Sequence, residues 1–358
     1  MFCKNGATTI RRSVESVLKL DYPNIEYIVQ DGASTDGTKE ILESYGKKIS
    51  LISEPDSCAQ EAFFRALKRC TGEIVGSCQA DEELLPHAAK WAIENFQKNP
   101  EAIAVYGDSH NTDTEGNVIG DYKPRRPFTT EKYMLHEVVP TFASSFIRRS
   151  AMEQAGLRER NWNMGGGEFE LWTHLSLLGK IIYCPGFISK FSVHDEQLTR
   201  TPEIQDATVV NRIKIINQFF NDPEFVKKIS ISKQQTLAGL FLWSAQLSVD
   251  RGAYEEAVKY IHKAMPYASS ERRLQEFAGD CCNNALKALR QEKWNDAMKC
   301  LDCAEVVGGG FPDIQFLRAM GWIGLDENEK AEKALRAHLQ KFPNDPQALD
   351  LLADIKAS

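Results

Sequence analysis

The sequence contains no uninterrupted apolar run of the ~18 to 20 residues that would cross a bilayer. Its first residues also lack the basic, apolar and small-residue order of a secretory leader. These absences lead to the expectation of a protein without a transmembrane segment, in the cytoplasm or at the inner face of a membrane. Basic charge is in short supply too. Lys and Arg number 43 against 50 Asp and Glu, for a net charge of −7, and no basic run with interleaved aromatics tracks a phosphate backbone. Nucleic acid is therefore not an expected partner. The nine cysteines form no framework. Cys300 and Cys303 make a C-x-x-C inside a helical pattern, but no second pair stands at zinc-ligand spacing, so they read as core residues of a reduced protein.

A chain of 358 residues can bury two cores. Over the first 200 residues, helical stretches alternate with short apolar runs: TTIRRSVESVL, EYIVQ, TKEILESY, KKISLIS, AFFRALKRC, GEIVGSC, AAKWAIENF and AIAVYGD. Ile10, Val14, Val17 and Leu18 share one helix face, while IVQ and IVGSC suit strands covered on both sides. This alternation predicts an α/β domain with a largely parallel sheet over 1–200. A helical linker over 201–232 and an all-α region over 233–358 are expected to follow. In the last region AYEEAVKYIHKAM, KWNDAMKCLDCAE and ENEKAEKALRAHL each carry an alanine at the fifth position, namely Ala257, Ala297 and Ala331. Those units resemble tetratricopeptide helical hairpins, with an ordinary helical bundle as the alternative. The resemblance implies a surface for docking a protein partner.

In folds of the first kind ligands lie beyond the carboxyl ends of the strands, so the residues after each apolar run come first. The stretch DGASTDGT at 31–38 ends a strand in Asp31, whose carboxylate can accept from a base N–H or a ribose hydroxyl. Gly32 and Gly37 let the chain bend, and Ser34, Thr35 or Asp36 can cap a helix starting near Thr38. A capped turn without a ligand explains the same residues. The next strand runs into QADEELLP, where Asp81 could hold a hard cation, or where the acids could simply precede a helix. In GGGEFELWTHLSLLGK, Glu168 or Glu170 could act as a base or lie on an exposed helix face. KFSVHDEQLTR holds His194, and PTFASSFIRR holds Arg148 and Arg149.

With TTIRRSVESVLKLDYPNIEYIVQDGASTDGT and the later segments in the same order, residues 3 to about 200 resemble the inverting glycosyltransferases of family two. These have the Rossmann-like nucleotide-sugar-binding fold called GT-A. The resemblance implies transfer of a sugar from a nucleotide-sugar donor, expected to be a UDP-sugar, to an acceptor hydroxyl on a glycan, a lipid-linked carrier or a protein. It implies that Asp31 recognises uracil, and that Asn5, Gln79 and Ala80 line the nucleotide. By the same resemblance Asp81, with His194, is expected to hold Mn²⁺ or Mg²⁺ against the diphosphate, which would neutralise the leaving group. The resemblance further implies that Glu168 takes the proton of the attacking hydroxyl, with Glu170 as the fallback and Asp56 and Arg148 as secondary candidates.

The sequence also departs from that pattern. Gln79 replaces the first acid of the family's Asp-x-Asp, Cys58 stands where relatives carry Gly, and Phe64 stands where they often carry Asn. The chain opens at Met1-Phe2-Cys3, inside what would be the first strand, so an upstream start or a truncated product is expected. These departures favour the alternative, a non-catalytic interaction protein with a degenerate nucleotide-sugar domain and a repeat scaffold. A nucleotidyltransferase is set aside, because Lys4-Asn5-Gly6-Ala7 is not a basic glycine-rich loop.

Overall fold

The computed structural model describes residues 1–124, 127–155, 166–193, 202–267, 271–307 and 313–357. The chain divides into two compact units, Met1–Ser230 and Ile231–Ser358.

In the first unit the elements run β1 (Phe2–Cys3), α1 (Ile10–Leu18), β2 (Ile28–Asp31), α2 (Thr38–Glu43), β3 (Ser50–Ser53), α3 (Ala59–Arg69), β4 (Ile74–Gly76), β5 (Glu83–Leu84), α4 (Ala88–Lys98) and β6 (Ala102–Thr112). They continue as β7 (Val118–Tyr122), α5 (Thr130–Met134), β8 (Ser145–Arg148), α6 (Arg149–Gln154), α7 (Gly167–Leu178), β9 (Lys180–Ser192), α8 (Pro202–Phe220) and α9 (Pro223–Val226). Helix α1 forms on its apolar stripe, with Ile10, Val14 and Val17 buried. Leu18, expected on that stripe, sits at the helix end and is 38% exposed.

Strands β1, β2 and β3 form a parallel sheet in which Cys3, Asp31 and Ser53 stand side by side at the carboxyl edge. The other strands run in the order β4-β8-β6-β9-β5, with β7 on β6. That sheet differs from the expected parallel one. Only β6–β9 is parallel, while β8 returns antiparallel between β4 and β6, and β7 returns from β6 through a turn in which Asp113 accepts from the amides of Glu115 and Asn117. The short segments SFIR and VIGDY carry too few apolar residues to signal a strand by pattern. One apolar core, including Val14, Val29, Leu42, Phe96, Val105 and Ile188, joins elements of both sheets. A cavity of about 410 Å³ lies between β1–β2 and β4, lined in part by Met1, Phe2, Ile28, Val75, Gly76 and Phe146.

The second unit contains α10 (Lys233–Asp250), α11 (Tyr254–Ala264), α12 (Glu271–Arg290), α13 (Trp294–Val306), α14 (Ile314–Gly324), α15 (Asn328–Lys341) and α16 (Pro346–Ala357). Helices α10 and α11, α12 and α13, and α14 and α15 pack as successive hairpins. The three turns share one geometry. Gly252, Glu292 and Asp326 take left-handed φ values of 77°, 57° and 58°. The next amide in each case returns to a carbonyl five residues back: Ala253 to Ser248 at 2.8 Å, Lys293 to Ala288 at 2.9 Å, and Glu327 to Trp322 at 2.9 Å. Ala257, Ala297 and Ala331 stand five residues after the left-handed position, and each is fully buried. A larger side chain there would push the paired helices apart.

Candidate functional site

Three loops meet at the carboxyl edge of the parallel sheet. Asn5 and Ala33 both adopt left-handed backbone, with φ of 53° and 55°, a conformation that costs of order 1 kcal/mol and persists only where neighbours hold it. Here the neighbours are each other. The Asn5 amide donates to Ser34 Oγ at 2.8 Å and its Oδ1 accepts from the Thr35 amide at 3.0 Å. The Gly6 amide donates to Thr38 Oγ1 at 2.8 Å, and the Ala7 amide to Asp36 Oδ2 at 3.0 Å. Asp36 Oδ1 also accepts from the Thr38 amide at 3.0 Å, so Asp36 satisfies the start of α2 while pinning the loop after β1. Desolvation works against them, but together these bonds hold its carboxyl below the usual carboxylate range.

Asp31 is completely buried. Its oxygens accept from the Ser34 amide at 3.1 Å, the Ser34 hydroxyl and the Ser53 hydroxyl at 2.6 Å, with Cys3 Sγ at 3.9 Å. A nucleotide would therefore displace a serine hydroxyl to reach this carboxylate. Asp56 closes the third side: a Cβ on Gly32 would lie 2.1 Å from Asp56 Oδ2 and 3.3 Å from Lys4 Cδ, so any larger residue at 32 would push the Asp56 carboxylate out of its place. Desolvation raises the Asp56 carboxyl above its ordinary value, and Lys4 opposes that rise.

The loop after β4 packs against the same place. A Cβ on Gly6 would come within 2.9 Å of Ala80 Cβ, and the Ala80 carbonyl accepts from Ser13 Oγ at 2.7 Å. Gln79 donates through Nε2 to Ser77 Oγ at 3.0 Å and through its amide to Glu82 Oε2 at 2.8 Å, while its buried Oε1 has no hydrogen-bond partner. Asp81 is half-buried. Helix α4 begins only at Ala88, so the acids at 81–83 are not its first turn. They part instead. Glu83 pairs with Arg12 at 2.7 Å and Lys190 at 3.5 Å. Glu82 is 5% exposed, and burial, then the nearby charges of Asp81 and Glu168, raise its carboxyl to about 8 against the Gln79 amide.

Glu168 occupies the first turn of α7 and its side chain reaches solvent. Protein crowds it on the other sides, and that desolvation raises the carboxyl to about 7, opposed by the Arg212 guanidinium and then by the Trp172 indole. The indole Nε1 makes no hydrogen bond of good geometry. Tyr133 Oη donates to the Glu168 carbonyl at 3.3 Å. Glu170, the fallback base, points into the protein: it is 6% exposed and lies 3.7 Å from His174 Nε2. Arg148 does not face this region, nor is it simply solvated. Its Nε donates to the Ala102 carbonyl at 2.9 Å, its Nη1 to Glu73 at 2.6 Å, and its guanidinium lies 4.8 Å from the Phe96 ring centroid. Arg149 donates to the Gly72 carbonyl at 2.9 Å. His194 lies outside the described residues.

Contacts thus link Asn5, Asp31, Asp56 and Ala80, and electrostatic coupling joins Asp81 and Glu168 through Glu82. Sequence reasoning passed over Glu82 and Arg212. The first looked like one acid among three, and the second lies 44 positions beyond Glu168 with no motif around it. Among the described residues no group of three or more His, Cys, Asp or Glu side chains forms a complete cage for a metal ion. A cation bound through one or two carboxylates and a substrate diphosphate needs no such cage. A buried acid raised by the charges of Asp81 and Glu168, beside the partnerless Gln79 Oε1, fits that kind of site.

Residues 1–156 match the family model described as Glycosyl transferase family 2. The chain is 30% identical over 218 residues to the chondroitin synthase of Escherichia coli, which takes in 60% of this chain and 31% of that one. It is 24% identical over 220 residues to the chondroitin synthase of Pasteurella multocida (strain Pm70), covering 61% and 22%. The chain therefore spans less than a third of either relative. Among solved structures, S. aureus TarS 1-349 in complex with UDP-GlcNAc aligns with a TM-score of 0.53 at 15% identity, over 86% of this chain and 88% of that one. The mannosyltransferase PcManGT from Pyrobaculum calidifontis, in complex with GDP-Man and Mn²⁺, aligns with a TM-score of 0.51 at 18% identity, over 85% and 84%. At those identities the likeness concerns the fold. The chain has a GT-A-like, sheet-containing N-terminal domain, matched over residues 1–156 by the Glycosyl transferase family 2 model, followed by a largely helical region.

Proposed function

We propose that this chain is a family-two glycosyltransferase that moves a sugar from a nucleotide-sugar donor, a UDP-sugar, to an acceptor hydroxyl with inversion at the anomeric carbon. The observation that carries the reading is Glu168: an acid at a helix start, open to solvent, with a carboxyl near 7, coupled through Glu82 to the loop that holds Asp81. A general base works best when its pKa lies near the operating pH, since it is then ionised yet basic enough to accept a proton. Glu168 removes the acceptor proton as the hydroxyl attacks. Asn5, Asp31, Asp56, Gln79 and Ala80 line the nucleotide, and Gln79 Oε1 gains the donor it lacks. Asp81, with His194, holds a divalent cation, which when bound supplies positive charge to the departing diphosphate. The complexes of TarS with UDP-GlcNAc and of PcManGT with GDP-Man and Mn²⁺, proteins of like fold, support a nucleotide sugar and a divalent cation as the ligands. The helical hairpins, read as tetratricopeptide-like repeats, dock a protein partner or acceptor.

The test is transfer or donor hydrolysis across a panel of nucleotide sugars with Mn²⁺ or Mg²⁺. Activity with a UDP-sugar that falls at least about 100-fold in Glu168→Gln and is lost in Asp81→Ala supports the reading; activity unchanged in both variants refutes it. A second reading, a non-catalytic scaffold, draws on Asp31, whose oxygens are already engaged by Ser34 and Ser53. That reading requires that UDP with Mn²⁺ leave the melting temperature unmoved.

A further inference from the structure

Helix α8 lies against α7 through two aromatic contacts: His174 faces Phe219 at 4.9 Å between ring centroids, and the Arg212 guanidinium lies 5.3 Å from the Phe169 ring centroid. Phe169 is itself clamped, with Tyr133 stacked at 5.6 Å and His136 at 5.1 Å. Phe169 directly follows Glu168, so the ring that fixes the guanidinium also fixes its distance from the acid. A planar guanidinium suits such a place, because it stacks on an aromatic face while its edge stays available to a carboxylate.

We infer that Arg212 is a positioning residue for Glu168: seated on Phe169, it sets the orientation and charge state of the acid without touching the reacting atoms. This rests on the proposed role of Glu168. The groups facing that acid come from four other elements. Tyr133 of α5 and Tyr122 of β7 hold their protons well above neutrality, Glu82 of the loop after β4 is a buried acid, and Arg212 of α8 is the cation. On α7 itself the Trp172 indole contributes weakly. Without Arg212, desolvation is opposed only by the weak contribution of the Trp172 indole, and Glu168 stays protonated at neutral pH where it cannot accept a proton.

The direct experiment is a titration of the Glu168 side-chain carboxyl by ¹³C NMR in glutamate-labelled full-length protein, its resonance assigned by loss in Glu168→Gln. The wild-type midpoint is expected near 7, and Arg212→Met should raise it by about 1 pH unit or more, the effect of removing a close opposite charge. Arg212→Lys should restore most of the wild-type value. Arg212→Gln is the second charge-removing variant should Arg212→Met fold poorly. A midpoint unmoved in the folded charge-removing variant overturns the inference, even if its melting temperature falls, because a packing role would move only the latter. In turnover the acid limb of kcat should follow the midpoint with donor KM steady. A raised donor KM with the limb fixed would instead make Arg212 a donor ligand and overturn the inference. A midpoint that Arg212→Met raises, in a protein whose wild type transfers no sugar, would uphold the pairing and refute the proposed function.

Discussion

Glu82→Gln should stabilise the protein, and the gain should grow with pH. The buried carboxyl has its pKa raised from 4.5 to about 8, so the folded state holds a proton that the unfolded chain releases. Below pH 4.5 both states are protonated, and the group costs nothing. As pH rises from 4.5 toward 8 the unfolded chain alone ionises, and folding loses about 1.4 kcal/mol per pH unit from this one group. Above 8 the loss levels off. Glutamine keeps the oxygen that accepts from the Gln79 amide at 2.8 Å and has no proton to lose. The variant should therefore exceed the wild type by about 4 kcal/mol at pH 7.5, or about 2 kcal/mol if the carboxylate finds water by local opening.

Urea unfolding of both proteins at pH 4.5, 6 and 7.5 reads this difference directly. The titrating groups away from this corner are common to the pair, so the gap between the two curves reports Glu82 together with its coupling to Asp81 and Glu168. A gap that stays constant across the three values would mean that the side chain is ionised in the folded protein, and would refute the account of this corner as a desolvated acid cluster. A gap that opens with pH and then narrows on adding Mn²⁺ would place the cation beside it.

Four other outcomes are expected. Gly324→Ala should destabilise the helical unit by about 1 to 2 kcal/mol, because its Cβ would come within 2.3 to 2.5 Å of three atoms of the Trp294 indole, outweighing a helix-propensity gain of about 1 kcal/mol. Gly321→Ala meets chiefly the flexible Met298, at Sδ 2.6 Å, so thermal melts should show it near neutral; equal losses for both would refute the contrast. Asp36→Ala removes the acceptor for the Ala7 and Thr38 amides and should cost about 1 to 2 kcal/mol in urea unfolding. UDP with Mn²⁺ should raise the melting temperature of the wild type but not of Asp81→Ala; an equal rise in both would remove Asp81 from the proposed site.

The α/β class and the helical region were legible because both depend on local periodicity. Ile10, Val14 and Val17 can share a core only on a helix, and the buried IVQD run can be satisfied only between helices. The strand-end turn was legible for the same reason, since Gly32 and Asp36 act on neighbours a few residues away or on the loop they touch. Chain direction in the second sheet was not, because β8 takes its place from β4 and β6, about 40 to 70 positions earlier, and four residues carry no record of that. The same limit governs the site. Arg148 and Arg149 resemble phosphate ligands in sequence, yet their partners are Glu73, Ala102 and Gly72. Arg212 resembles an ordinary helix residue, yet its charge reaches Glu168. A side chain's type announces which interactions it can make, and the fold decides which of them it does make: Glu82 is buried on the Gln79 amide, Glu83 is paired with Arg12 and Lys190, and Glu168 opens a helix, while all three read alike in the sequence.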